Sequence, residues 1–166
     1  MVEEGKTEEE KSYPALWAEN ETRKHIDTVV FYLSKALGEL NRRIPMHDQT
    51  KLNDPEGGYF EKYTPKLKNL VYGSEEYKEC LEALKPALNH HYAVNKHHPE
   101  NHPGGVNGMT LIDILEMVCD WRAAMNRHAT GNLKDSMDIN QKRFELSDQL
   151  RKIIENTIEF LDDPKA

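Results

Sequence analysis

Apolar residues recur at steps of three and four through most of this chain, which is the spacing of amphipathic α-helices. Such runs predict a first helix over about residues 19–43, another over about 74–97 that begins at a capping serine, and a last one over about 135–161. Thr110 and Asp113 form a plausible capping pair for a further helix between the last two. No segment alternates apolar and polar residues as a half-buried strand does. The pattern therefore predicts an all-α fold.

Turn-forming residues divide these helices. Pro45 fits the first turn of a short helix with the sequence HDQTKL, which ends at the glycine-containing segment 53–58. The next segment, YFEKYTPKLKNLVYG, is expected to be irregular or only briefly helical. A loop rich in proline and glycine covers 99–108, and Gly131 closes the helix that follows it. The result is a bundle of about five main helices.

Composition limits the domain organisation. The chain has 166 residues and enough apolar side chains for one sizeable core. Its first residues, MVEEGKTEEEK, are acidic and offer almost nothing to bury, so residues 1–12 are predicted to be a disordered acidic tail. Residues 13–166 are predicted to form a single domain.

Charge and cysteine usage narrow the range of partners. A net charge of −7 disfavours long nucleic acid, although bound divalent ions would still allow a small anionic ligand. Cys80 and Cys119 lack CxxC spacing and are expected to be packed thiols in a reducing compartment. No apolar run approaches the ~18 residues that a membrane span needs. We therefore expect a cytoplasmic protein with no membrane partner.

Histidines and carboxylates fall where successive helices can combine them into a metal site. His25 lies four residues before Val29 on the apolar stripe of the first helix, where a lone histidine is more often a core residue than a ligand. His47 and Asp48 then follow as neighbours on the next helix. They can share an ion only if it sits between their two faces, and the carboxylate can then bridge to a second ion.

Four histidines lie close together at the end of the next long helix. His91 and His98 are spaced to share one helical face, and His90 and His97 share a neighbouring one. A solvated helix end, where histidine favours the C-terminal dipole, would explain them without a metal. We favour His91 and His98 as ligands, followed by His97, with His90 last.

The fourth helix supplies further carboxylates. Asp113, Glu116 and Asp120 share one face of it. Asp113 already has a structural role as the capping partner of Thr110, whereas Asp120 lies in mid-helix, where an inward-facing acid needs a partner. Asp120 is the better ligand candidate, and its alternative is an exposed acid beside Arg122.

The order of these residues resembles the HD-domain superfamily of metal-dependent phosphohydrolases, whose signature is H…HD…D, over about residues 20–125. HDQTK is similar to the HDxGK element of its branch that hydrolyses cyclic dinucleotides, and HHPENHPGG is similar to the HHE element and glycine-rich turn of that branch. The chain departs from that branch at Thr50, where the branch has glycine, and it lacks the GYP tripeptide. It also resembles a group of small phage and bacterial proteins with the order HD…HHPE…DW. The resemblance therefore leaves the substrate open.

The resemblance implies a hydrolase with one or two divalent transition-metal ions (Mn, Fe, Co, Ni or Zn) that acts on a small phosphorylated substrate such as a nucleotide. For the first ion, the implied ligands are His25, His47, Asp48 and Asp120. For the second, they are His91 and His98, with Asp48 bridging. Asp48 and Lys51 would be the catalytic residues.

Neighbouring residues have supporting roles in this interpretation. Lys51, one turn beyond the His-Asp pair, would contact a phosphate oxygen as a point charge. Arg43 would assist it, unless it only forms the cationic end of the first helix. Tyr59 lies in an aromatic loop that would either stack on a base or anchor the loop. The residues expected to orient the ligands from behind are His97, Glu100 and Asp113.

Two other functions are compatible with the sequence. Glu75-Glu76-x-x-Glu79 matches the first half of the motif of MazG-type all-α nucleotide pyrophosphatases, but Asp113-x-x-Glu116 has the second half in reverse order, and no histidine is explained. The chain could instead be a non-catalytic helical module that binds a structural metal or a basic partner. An oxygen-using di-iron HD protein is a further variant. The metal content of the purified protein distinguishes the main hypotheses. A bound transition metal favours the HD-type hydrolase, and weakly held magnesium favours the pyrophosphatase. Absence of metal favours the non-catalytic module.

Overall fold

The computed structural model describes residues 13–70, 74–126 and 133–165. These residues form helices joined by turns and contain no strand, which confirms the all-α prediction. The chain divides into two compact units, Met1–Ile44 and Pro45–Ala166. The predicted tail over 1–12 and the closing residue Gly131 lie outside the described residues, and the single domain over 13–166 stays a prediction. No helix in the described part is long and apolar enough to cross a membrane.

The first unit contains one long helix, α1, over Tyr13–Arg43, which begins earlier than the sequence pattern predicted. All of α1 is described, and none of its residues is buried. Ion pairs one turn apart stabilise it locally, including Glu19 with Arg23 and Glu39 with both Arg42 and Arg43.

The second unit contains five α-helices and several short 3₁₀ segments in the described residues. The α-helices are α2 (Gly57–Lys68), α3 (Glu75–Val94), α4 (Leu111–Met125), α5 (Leu133–Phe144) and α6 (Asp148–Asp162). The 3₁₀ segments are Ile44–Met46, whose first residue belongs to the first unit, Gln49–Leu52, Pro99–Asn101 and Gly105–Gly108.

Two predicted caps are confirmed. The Ser74 hydroxyl accepts a hydrogen bond from the Tyr77 N–H at 3.1 Å and begins α3. Thr110 and Asp113 form a reciprocal capping box at the start of α4.

Two predictions about helix extent were wrong. The segment YFEKYTPKLKNLVYG, expected to be irregular or only briefly helical, lies mostly in the 12-residue helix α2, because packing against α3 supports a helix that contains Pro65. The predicted last helix is instead two helices. Glu145 adopts a left-handed conformation with φ 53°, the Leu146 N–H bonds back to the Gln141 carbonyl at 3.1 Å, and Ser147 caps α6.

The apolar core lies where α4, α5 and α6 meet. Its buried members are Met117, Val118, Met137, Leu146, Ile154 and Ile158. Trp121 stacks on Phe144 beside it, with the ring centroids 5.7 Å apart. This core fixes α4, whose other face carries carboxylates toward the candidate site.

Candidate metal centre

A tight turn presents His47 and Asp48. The predicted short helix is replaced by two 3₁₀ segments, with Asp48 between them in the left-handed region at φ 56°. Few residues other than glycine adopt this conformation, and aspartate and asparagine are among those that tolerate it best. From this turn the two Asp48 oxygens face different neighbours, with His91 beside Oδ1 and His47 beside Oδ2.

A second turn gathers three histidines. Helix α3 ends at Val94, short of the predicted His97, and Asn95 caps it in an extended conformation. The His98 N–H bonds to the Asn95 carbonyl at 3.2 Å, and His98 is itself extended, as expected for a residue before proline. His91, in the last turn of α3, thereby faces His97 and His98, with ring centroids 5.8 and 4.8 Å away.

The three histidines and Asp48 form what we call the N3O position. Its ligand atoms lie within 4.8 Å of one another. Asp48 Oδ1 is 3.2 Å from His91 Nε2 and 3.5 Å from His97 Nε2. Among the described residues, four buried side-chain N and O atoms have no hydrogen-bond partner, and they are these: Asp48 Oδ1 and the Nε2 atoms of His91, His97 and His98.

Whether these residues fit a metal ion can be judged from the four buried atoms that have no hydrogen-bond partner. Buried polar atoms in folded proteins almost always have partners, and an unmatched group calls for an explanation such as an ion. Three imidazole nitrogens and one carboxylate oxygen are a donor set suited to zinc, iron, cobalt or nickel. The residues therefore fit a divalent transition-metal ion.

A second group of ligand atoms adjoins the first through Asp48. We call it the NO2 position, and its residues are His47, Asp48 and Asp120, again with ligand atoms within 4.8 Å of one another. His47 Nε2 lies 3.8 Å from Asp48 Oδ2 and 3.7 Å from Asp120 Oδ1. One Asp48 oxygen thus faces each position, which is the arrangement of a bridging carboxylate.

Glu56 orients one of the imidazoles. Its side chain is fully buried and accepts hydrogen bonds from His91 Nδ1 at 2.9 Å, His90 Nδ1 at 2.7 Å and the Thr50 hydroxyl at 3.0 Å. A carboxylate can only accept, so the hydrogen of the His91 ring lies on Nδ1, and the Nε2 lone pair is directed to the N3O position.

Glu116 has the same role for two other rings. Its Oε1 accepts a hydrogen bond from His47 Nδ1 at 3.0 Å and lies 3.4 Å from His97 Nδ1. One carboxylate therefore contacts an imidazole of each position, so Glu116 links the NO2 and N3O positions. Such carboxylate–histidine contacts fix ring orientation and increase ligand basicity.

Burial and neighbouring charges set the protonation of the cluster. Asp120, against the effect of burial, raises the pKa of His47 to about 9. Burial, with His97 and His91 nearby, lowers the pKa of His98 to about 3, which favours the neutral imidazole that binds metal. Although burial opposes its ionisation, the Lys51 ammonium group and the charge of His47 hold the pKa of Asp48 well below its usual range.

Other residues nominated from the sequence have different surroundings. His25 is exposed on α1 in the first unit and belongs to none of the ligand groups found among the described residues. Its role as a ligand stays a prediction. Arg43, also on α1, pairs with Glu39 at 2.7 Å. Tyr59 is exposed, and it is Phe60 whose ring meets His91 edge-on.

The three residues expected to orient the ligands from behind, His97, Glu100 and Asp113, also have different surroundings. His97 contributes a ligand-type atom to the N3O position, and Asp113 is held in the capping box of α4. Glu100 pairs with Arg143 at 2.7 Å.

The residues of the two predicted enzyme types lie in different places. Lys51, predicted to be catalytic, has its Nζ 2.5 Å from Asp48 Oδ2. The pyrophosphatase-like glutamates are exposed on α3, where Glu75 pairs with Lys78.

The sequence pattern assigned no role in the site to Glu56 or Glu116. It did place Glu116 on the same face of α4 as Asp120, one helical turn before it. Nothing local marks Glu56, which lies in a turn of polar residues and becomes buried only through its contacts with α3.

Comparison with curated proteins and with solved structures found no match. The sequence does match a protein-family model over residues 16–160, which is most of the chain. The chain therefore belongs to the family of unknown function DUF5662.

Proposed function

We propose that this chain is a metal-dependent phosphohydrolase that acts on a small phosphoester, with a nucleotide as the leading substrate class. The observation that carries the proposal is the convergence of four buried, unpartnered ligand atoms on one point, beside a second ligand group that shares Asp48. Two adjacent positions with a common carboxylate are the arrangement used by dinuclear phosphoester hydrolases. The HD-like order of the residues agrees with this proposal.

Each part of the cluster has a chemical role in this proposal. The N3O and NO2 positions would hold one divalent ion each, and such ions supply Lewis-acid activation of water and neutralise charge on a phosphoryl group. Glu56 and Glu116 hold His91 and His47 in the orientation that directs Nε2 inward.

Lys51 supplies the cation for the substrate. Its ammonium group lies beside Asp48 and has further N–H donors for a phosphate oxygen. The positive charge of Lys51 and two ions would overcome the net charge of −7 that otherwise repels an anion. The cytoplasmic location stays a prediction. Both cysteines are free thiols, but only Cys80 is packed as predicted, whereas Cys119 is exposed.

The test is a hydrolysis screen combined with metal analysis. Purified protein is loaded with Mn, Fe, Co, Ni or Zn and assayed on nucleoside mono- and triphosphates, cyclic dinucleotides and a chromogenic phosphomonoester. We expect hydrolysis of at least one class, abolished in Asp48→Asn, because asparagine tolerates the left-handed backbone but removes the bridging charge. Asp138→Asn, at a partly exposed carboxylate that pairs with Lys134 and Arg151 and belongs to neither ion position, is the matched control.

A second pair of variants separates substrate binding from metal binding. Lys51→Ala should retain its metal and lose about 10²–10³-fold in kcat, the usual effect of deleting a donor that stabilises developing charge. Lys78→Ala, which breaks a similar pair one turn apart on α3, should be neutral. Loaded protein that hydrolyses none of these substrates, or full activity in Asp48→Asn, would refute the proposal.

A further inference from the structure

The two ion positions differ in donor type and in burial. The N3O position has three nitrogen donors, and His91 and His97 are only 1% and 2% exposed. The NO2 position has one nitrogen and two oxygen donors, on side chains that are 18–32% exposed. Imidazole-rich sites suit zinc, iron, cobalt and nickel, whereas oxygen-rich, wetter sites suit manganese or magnesium.

The two ion positions also differ in the contacts made by the oxygens of Asp48, the carboxylate that they share. Asp48 Oδ1, which faces the N3O position, is buried and has no hydrogen-bond partner. Asp48 Oδ2, which faces the NO2 position, has Lys51 Nζ 2.5 Å away. An ion in the N3O position would meet an oxygen that has only imidazole nitrogens beside it, whereas an ion in the NO2 position would meet an oxygen already paired with the Lys51 ammonium group.

Lys51 is held in place by more than this one contact. Its ammonium group lies 5.6 Å from the centroid of the Phe60 ring, and its side chain is 27% exposed. Phe60 in turn lies edge-on to His91, at 6.3 Å between centroids. The lysine is thus positioned at the NO2 side of the centre while the solvent still reaches it.

We propose that Lys51 is a built-in competitor for the second ion, so that the two positions fill in a fixed order. An imidazole-preferring ion binds first at the N3O position, and a manganese-like ion enters the NO2 position only as Lys51 leaves Asp48. The substrate phosphate provides the alternative partner for the ammonium group, so phosphate and the second ion bind with positive cooperativity. This inference rests on the ion positions of the proposed function.

The test measures metal stoichiometry by equilibrium dialysis and elemental analysis, with zinc alone, manganese alone, and manganese added to protein that carries one zinc. Wild-type protein should bind one zinc tightly and manganese weakly. Lys51→Met should bind the manganese about tenfold more tightly or better, because a neighbouring positive charge is removed. Inorganic phosphate should strengthen manganese binding in the wild type and have little effect in Lys51→Met.

Two further variants show which ion occupies which position, and a third controls for general effects of substitution. Asp120→Asn should lose the manganese and keep the zinc, and His98→Gln should weaken the zinc. Lys78→Met, from the exposed pair on α3, should bind both ions as the wild type does. Equal affinities of the two positions in wild-type protein, or unchanged manganese binding in Lys51→Met, would overturn the inference. Ordered binding without hydrolysis of any substrate would instead overturn the proposed function alone.

Discussion

Helix α4 borders two buried regions that are built in opposite ways. Its Met117 and Val118 enter the apolar core, whereas Glu116 and Asp120 face the ligand cluster. The core is stabilised by removing apolar surface from water and needs no further partner. The cluster buries polar atoms, whose unmatched hydrogen-bonding capacity opposes folding unless an ion binds them. One helix thus joins a region that is complete in itself to a region built for a ligand.

The largest effect is expected in the core. Ile154→Ala should lower the free energy of unfolding by about 2–5 kcal/mol, because a fully buried side chain is replaced by a cavity. Urea unfolding measures the loss, which should be the same with and without a chelator if the core is independent of the ions. Ile153→Ala, at an exposed neighbour, is the control and should change stability by less than about 1 kcal/mol.

Removal of metal should have the next largest effect, because it leaves the buried ligand atoms of the cluster without a partner in the folded state. An ion that binds only the folded state at 100 to 1,000 times its Kd adds about 2.7–4.1 kcal/mol. Chelation should therefore lower the melting temperature, and zinc or manganese should restore it. An unchanged melting temperature in metal-free and reloaded protein would favour the non-catalytic module without a metal.

Glu116→Gln tests the ligand-facing side of α4 without touching its apolar side. The amide keeps the shape of the side chain but removes the charge that orients His47 and His97, so metal affinity should fall about 10–100-fold. Calorimetric titration with zinc and manganese measures the change. Glu159→Gln, at an exposed site on α6, should bind both metals normally. If Glu116→Gln bound them equally well, the linking role of Glu116 would be wrong.

The smallest effect is a pH dependence confined to the cluster. In metal-free protein the pKa of His47 is raised from 6.5 to about 9, mainly by Asp120. The folded state therefore binds a proton that the unfolded state releases, so this stabilisation is full below pH 6.5 and is lost as the pH rises through 9. Urea unfolding of metal-free protein between pH 6 and about 10 should show a decline in the free energy of unfolding as the pH rises. His47→Gln should make this free energy less dependent on pH. Ile154→Ala should keep the wild-type slope.

Much of the fold follows from the sequence alone. The 3.6-residue periodicity of apolar positions and the capping residues Ser74 and Thr110 are local properties, so they predict the helices and the start of α3 and α4. Where prediction failed, either packing between helices or a local backbone turn decided. Helix α2 forms against α3, and Glu145 ends α5 in a left-handed conformation that apolar periodicity does not encode.

The candidate site shows the same division more sharply. The sequence determined which ligand types are available, because His47, Asp48, the histidines near residue 97 and Asp120 are all visible in it. Only the tertiary structure decided which atoms converge. A turn after Val94, rather than a continuous helix, brings His97 to the N3O position, and burial under α3 makes Glu56 the acceptor for His91. Coordination depends on distances between atoms on separate elements, and helical register constrains only those on the same element.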